Sequence, residues 1–241
     1  MERPVIKRTP PPPFTSRLTK REAIMVLLYL PVHLVLLQLG FTALVERGVL
    51  PEARATLLYY VVGFLYMVLS AFGFLRRDFD ALIDAPFYCV REILRGYLWM
   101  LGFNLILGLL LLLVSDGAEN PNNQSVMNVY VQDMGSMKAA VIFLAPVVEE
   151  MMFRAGIFGV LRRRNRRAAY IVSALCFALY HVVPYALMDP LNWVFVLQYI
   201  PVSLLLARCY ERTNSIWCSI FFHMLVNAVS IRALTMLEEL L

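Results

Sequence analysis

The sequence predicts an all-α protein, a polytopic transmembrane helix bundle of about seven spans with its N-terminus in the cytoplasm. Three observations carry this expectation. Of 241 residues, 60% are hydrophobic and only 16% charged, whereas soluble domains hold about 45–50% apolar and about 25% charged residues. The apolar residues gather in runs long enough for a helix of about 20 residues to cross the hydrocarbon core. Finally, 17 of the 22 Lys and Arg residues fall in four short stretches between those runs, the distribution expected of cytoplasmic loops.

Along the chain, residues 1–22 form a basic, proline-rich tail carrying Arg3, Lys7, Arg8, Arg17, Lys20 and Arg21. No small-residue cleavage site follows, so the tail precedes a retained helix rather than acting as a signal peptide. Runs free of Asp, Glu, Lys and Arg occupy about 23–45, 55–75, 96–114, 168–188, 191–207 and 213–231. A seventh, about 139–161, is apolar apart from three charged residues. Lipid offers no water to unpaired backbone groups, so these runs must be helices or a closed barrel. They lack the two-residue alternation of a barrel.

The 76–95 loop carries four Lys or Arg residues, the 162–167 run five and the 208–212 turn two, while the alternate loops carry Arg47, Arg54 and Lys138 only. This alternation places the N-terminus inside and the C-terminus outside. It divides the chain into the tail, N-terminal helices with an outer polar loop (23–136), a core (137–232) and a C-terminal tail (233–241). Residues 78–92 mix acids with Phe79, Leu82, Ile83 and Phe87, a pattern open to an amphipathic surface helix or an ordinary loop. The net charge of +5 would suit a nucleic acid, but its segregation between apolar runs does not build a phosphate-tracking face, so none is expected as a partner. Cys89, Cys176, Cys209 and Cys218 have neither zinc-ligand nor disulfide-framework spacing and read as free thiols.

Ionisable residues within a span are costly and usually line a cavity or pair with one another. The 139–161 run holds Glu149, Glu150 and Arg154. Glu150 and Arg154 are four apart and share a face, so they can pair, while Glu149 is turned away by about 100°. The next span carries Phe177 and His181, and the last carries His223 and Asn227. Counting from the cytoplasmic helix ends, Glu149, His181 and Asn227 lie about 18–20 Å deep and His223 about 13 Å. Single polar residues such as His33, Gln38, Asn104 and Gln198 read as structural contacts between helices. A Glu–Glu pair with two imidazoles at matched depth reads as a site.

A carboxylate beside a neutral imidazole can hold a water molecule and take its proton. Glu149 with His181 is the candidate pair. His223 and Asn227, one turn apart, are the candidate donors to an oxyanion, and Glu150 with Arg154 would support the helix. These parts suggest hydrolysis of an acyl bond, most simply a peptide bond, by activated water. No Ser or Cys adjoins a proposed base in sequence, which disfavours a covalent route. Two His and a Glu could instead bind zinc, an alternative without a supporting motif.

Glu149-Glu150-Met151-Met152-Phe153-Arg154, Phe177-Ala178-Leu179-Tyr180-His181 and His223-Met224-Leu225-Val226-Asn227 resemble, in order and spacing, the EExxxR, FxxxH and HxxxN/D motifs of the CPBP family. These are the CAAX-protease and bacteriocin-processing membrane proteins. The resemblance covers about 139–231. It implies a helical membrane fold around a hydrated cavity and a glutamate-dependent, metal-independent endopeptidase with no cofactor. By motif position, it also implies Glu149 as base with His181, Glu150 and Arg154 as support, and His223 with Asn227 as oxyanion donors. The expected partners are membrane lipids and a protein or peptide substrate, lipidated or apolar near its terminus, in a bacterial plasma membrane. Some members of the family serve as immunity or regulatory proteins, so a non-catalytic partner is the competing reading. A proton-coupled transporter lacks the repeat symmetry it would need.

Overall fold

The computed structural model describes residues 13–114 and 119–238, which are mostly helical, with no strand among the described residues. Eight helical stretches follow in order: α1 (Lys20–Glu46), α2 (Glu52–Asp84), α3 (Pro86–Val114), α4 (Pro121–Tyr130), α5 (residues 134–162), α6 (Arg166–Ala186), α7 (Pro190–Thr213) and α8 (Ile216–Glu238). All but α4 and α5 contain a window long and apolar enough to cross a membrane. The protein is therefore a polytopic helical membrane bundle. The seventh expected span lies in α5, whose charged residues are the site itself.

α5 is the axis of the bundle. Every residue from Ala145 to Gly156 is buried, and two small residues let neighbouring helices reach it. A Cβ at Gly63 of α2 would stand 3.0 Å from Val148, and one at Gly156 of α5 would stand 3.0 Å from Val26 of α1. Between its α-helical ends the helix is α-helical over Ala145–Glu150, flanked by π-helical turns at Lys138–Leu144 and Met151–Phe158. Pro146 gives a reason for the first of these. Ala145 N–H bonds back to Ala140, five residues away as π geometry requires. The next N–H in that pattern is missing, because residue 146 is proline.

The N-terminal segment 13–19 is pinned across one end of the bundle. Phe14 is buried against Phe158 and Tyr210, and Thr19 and Glu22 cap α1 reciprocally. Glu22 also accepts from the N–H of Phe74 at 2.9 Å, three residues beyond the non-helical backbone of Ala71. Residues 1–12, with Arg3, Lys7 and Arg8, and residues 239–241 lie outside the described residues.

Several expectations are corrected. The 78–92 segment is neither a surface helix nor a loop: α2 runs to Asp84 and α3 begins at Pro86, with only Ala85 between them non-helical. Asp78 is buried, accepting from Ser16 Oγ at 2.6 Å and from the N–H of Ile216 at 2.8 Å. It thus satisfies a donor at the start of α8, where a negative charge is favourable. Cys89 and Cys218 are not free thiols but a disulfide with Cα atoms 5.7 Å apart, while Cys176 and Cys209 are free. The pairing joins α3 to α8 across 129 residues of sequence, beyond the reach of any spacing rule. Gly96, two turns from Cys89, faces Phe222, one turn from Cys218, in the same close contact. Part of the outer polar loop is α4, capped by Asn120, whose amide also donates to Gln198. Over residues 233–238 the expected C-terminal tail continues α8.

Candidate active site

The two neighbouring glutamates of α5 point into different surroundings. Glu150 and Arg154 are fully buried and paired at 3.0 Å. A buried ion pair needs further hydrogen bonds to offset the loss of water, and Glu150 has them, whereas Nε and Nη1 of Arg154 have no hydrogen-bond partner among the described residues. Glu150 Oε2 accepts from Ser219 Oγ at 2.5 Å, Glu150 Oε1 lies 2.9 Å from His223 Nδ1, and Arg154 Nη2 donates to Ser203 Oγ at 3.1 Å. The Arg154 guanidinium also sits 4.2 Å over the Phe177 ring, a contact that gains strength away from water.

Glu149 is buried as deeply but bonded on one side only. Its Oε1 accepts from Tyr60 Oη at 3.2 Å. Its Oε2 has no hydrogen-bond partner and lies 3.8 Å from both His181 Nε2 and His223 Nε2. These separations exceed direct hydrogen bonds, yet one water molecule can bridge such groups. The other ring nitrogens fix the tautomers. The Phe177 carbonyl, 2.9 Å from His181 Nδ1, can only accept, so in the neutral ring Nδ1 carries the proton and Nε2 is bare. At His223 the carboxylate of Glu150 has the same effect.

Glu149, His181, His223, Asn227 and Phe177 all line one cavity of about 390 Å³, with Asn122 and Asn123 of α4 among its walls. Three helices thus bring the sequence-derived residues together, while Glu150 and Arg154 stand behind His223 and Phe177. Tyr199 stacks on His181 with ring centres 4.5 Å apart and holds the imidazole plane. Asn227 has a second partner: its Nδ2 donates to the carbonyl of Val141 at 2.8 Å. In π geometry that carbonyl would accept from residue 146, so the side chain replaces the donor Pro146 lacks.

Sequence reasoning missed Tyr60 and Tyr180, whose hydroxyls are 3.1 Å apart and stand between this cavity and a neighbouring one of about 240 Å³ lined by Gln38, Thr42 and Glu52. Tyr180 lies inside the second motif, directly before His181. Tyr60 carried no signal, being one of several Tyr residues on an apolar helix. Ser173 Oγ bonds the Phe153 carbonyl, and Ser219 serves Glu150 rather than Glu149. Among the described residues, no group of three or more His, Cys, Asp or Glu side chains is placed to hold a metal ion.

The fold and the buried acid–imidazole cluster define a class: a helical membrane protein with ionisable residues around an internal cavity. Comparison with known proteins narrows it. Residues 135–229, less than half of the chain, match the family model "Type II CAAX prenyl endopeptidase Rce1-like". The Bacillus subtilis (strain 168) protein named "Putative membrane peptidase YdiL" is 30% identical over 112 residues, 46% of this chain and 42% of that protein. Two Lactococcus lactis (strain IL1403) proteins of the UPF0177 group are also similar. YajF is 33% identical over 76 residues (32% of this chain, 33% of that protein), and YvdC is 21% identical over 173 residues (71% and 63%). The chain therefore spans less than half the length of the first two of these relatives. No solved structure matches. The matched residues 135–229 contain all three of the motifs quoted above.

Proposed function

We propose that the protein is a glutamate-dependent intramembrane endopeptidase that hydrolyses a peptide bond of a membrane-associated or lipidated protein or peptide. The observation that carries this reading is the unpartnered, buried Oε2 of Glu149, set 3.8 Å from two imidazole nitrogens. Leaving a buried carboxylate oxygen unsatisfied is costly, and a bound water would satisfy it.

Water in this gap donates one hydrogen to Glu149 Oε2 and the other to the bare Nε2 of His181, which aims its lone pair at a substrate carbonyl in the cavity. Glu149 takes the proton as the C–O bond forms. The tetrahedral oxyanion is met by the remaining N–H of Asn227 and by His223, which donates from Nε2 when protonated there while Glu150 holds its Nδ1. Collapse breaks the C–N bond, and the proton on Glu149 passes to the leaving amine. Core residues 137–232 supply all of these groups, and Tyr60 from α2 orients the carboxylate. The bacterial relatives and the apolar helices support a bacterial plasma membrane, where prenylated CAAX proteins are not the expected substrates.

The test compares membrane-peptide termini between cells carrying the parent protein and cells carrying Glu149→Gln at equal abundance. A set of termini present only with the parent is expected. Identical termini would overturn the reading, and a phenotype that survives Glu149→Gln would mark a non-catalytic partner instead.

A further inference from the structure

The N-terminal segment and the ends of α5, α6 and α7 enclose a cavity of about 250 Å³, far from the motifs in sequence role and lined by Pro13, Phe14, Arg162, Arg166, Arg208, Glu211 and Arg212. Its walls are built rather than incidental. Asn214, in the left-handed conformation at φ 52° that ends α7, accepts from the N–H of Thr15 at 2.6 Å and donates to the Pro13 carbonyl at 3.2 Å. These bonds hold the Pro13–Phe14 wall in place, and Arg162 lies over the Phe14 ring at 5.8 Å.

The charges do not balance. Glu211 is already saturated by Arg162 Nε (2.5 Å), Arg166 Nε (2.8 Å) and Nη2 (2.7 Å), and Tyr170 Oη (2.8 Å). Arg212 is paired with Glu92 at 2.5 Å. Arg208 is exposed and has no ion-pair partner among the described residues. Four guanidinium groups thus meet two carboxylates, and the excess faces the cavity. A phosphate group, doubly hydrogen-bonded by guanidinium forks, is the anion that best fits such a set.

We propose that this cavity binds the phosphate headgroup of an anionic phospholipid. The lipid source is favoured by what lies one turn deeper. Leu204 and Leu197 lie four and eleven residues before Arg208, a spacing that puts all three on one face of α7, and both leucines are exposed apolar side chains. A headgroup at Arg208 therefore continues into an apolar track for its acyl chain. The arginines lie on the face that the positive-charge rule assigns to the cytoplasm, where anionic lipids concentrate. A bound lipid would bridge the N-terminal segment to α6 and α7.

The full-length protein in neutral detergent is titrated with phosphatidylglycerol, with phosphatidylcholine of the same chains and with inorganic phosphate, and bound ligand is counted by native mass spectrometry. Selective retention of phosphatidylglycerol is expected, weakened about fivefold by Arg208→Gln and unchanged by Arg164→Gln, which alters an exposed arginine outside the cavity. Because Arg208 has no ion-pair partner to lose, its variant keeps the fold, and Arg208→Lys should retain part of the preference. Equal retention of phosphatidylcholine, equal losses in the two glutamine variants or no loss in Arg208→Gln would overturn the proposal. Displacement of the lipid by millimolar inorganic phosphate would also overturn it, by showing a free-phosphate site.

Discussion

Glu149 and Glu150 are consecutive residues of one helix, equally withdrawn from water, and their surroundings could hardly differ more. On the Glu150 side both oxygens are engaged, with Arg154, Ser219 and His223 converging on them. On the Glu149 side Tyr60 takes one oxygen, and the other opens onto a cavity and two bare imidazole nitrogens. The difference sets a carboxylate with its bonds made beside one with a bond to spare. A carboxylate whose bonds are all made stabilises a geometry, while one with a bond left over can accept a proton from something that arrives. Turning one residue along a helix by about 100° is enough to make that division.

The largest expected effect tests the open side. Glu149→Gln should lower processing by about 10²–10⁴-fold, the range of general-base catalysis, with unchanged thermal unfolding, because a glutamine oxygen still accepts from Tyr60. A variant that unfolds would instead mark Glu149 as structural. On the closed side, Arg154→Ala leaves the Glu150 carboxylate buried without its partner and should cost about 3–5 kcal/mol of stability, read as loss of folded protein in detergent. If stability were untouched while turnover fell, the division between the two sides would fail. Tyr60→Phe should be milder, reducing kcat about tenfold as one charge-assisted hydrogen bond is lost, with KM little changed. Smallest of all, a strong zinc chelator should leave processing at its original rate. Loss that zinc restores would replace the water-and-glutamate reading with a metal site.

The membrane fold was legible because lipid imposes long apolar helices that spacing and charge segregation reveal directly. Glu149, Glu150, Arg154, Phe177, His181, His223 and Asn227 were legible because charge inside an apolar run is costly and because Glu149, His181 and Asn227 fell at one depth. Tyr60 was not, since a phenol on an apolar helix is ordinary until the helix opposite is known. The Cys89–Cys218 bridge and the burial of Asp78 at the start of α8 were hidden for the same reason: each joins segments far apart in sequence through a close helix contact. The π-helical turns of α5 were not legible, because a proline such as Pro146 removes a donor without specifying the helix type that decides which carbonyl is left free.

That freed carbonyl gives Asn227 two tasks. Its amide both faces the cavity and repairs the main chain of α5 at Val141. An inactive Asn227→Ala protein therefore has two explanations, a missing helper in chemistry or a slackened helix. Pro146→Ala separates them, because alanine restores the backbone N–H and relieves the side chain of its mending role. If activity stays lost in the double variant, the deficit belongs to the reaction; if it returns, the asparagine was serving the scaffold.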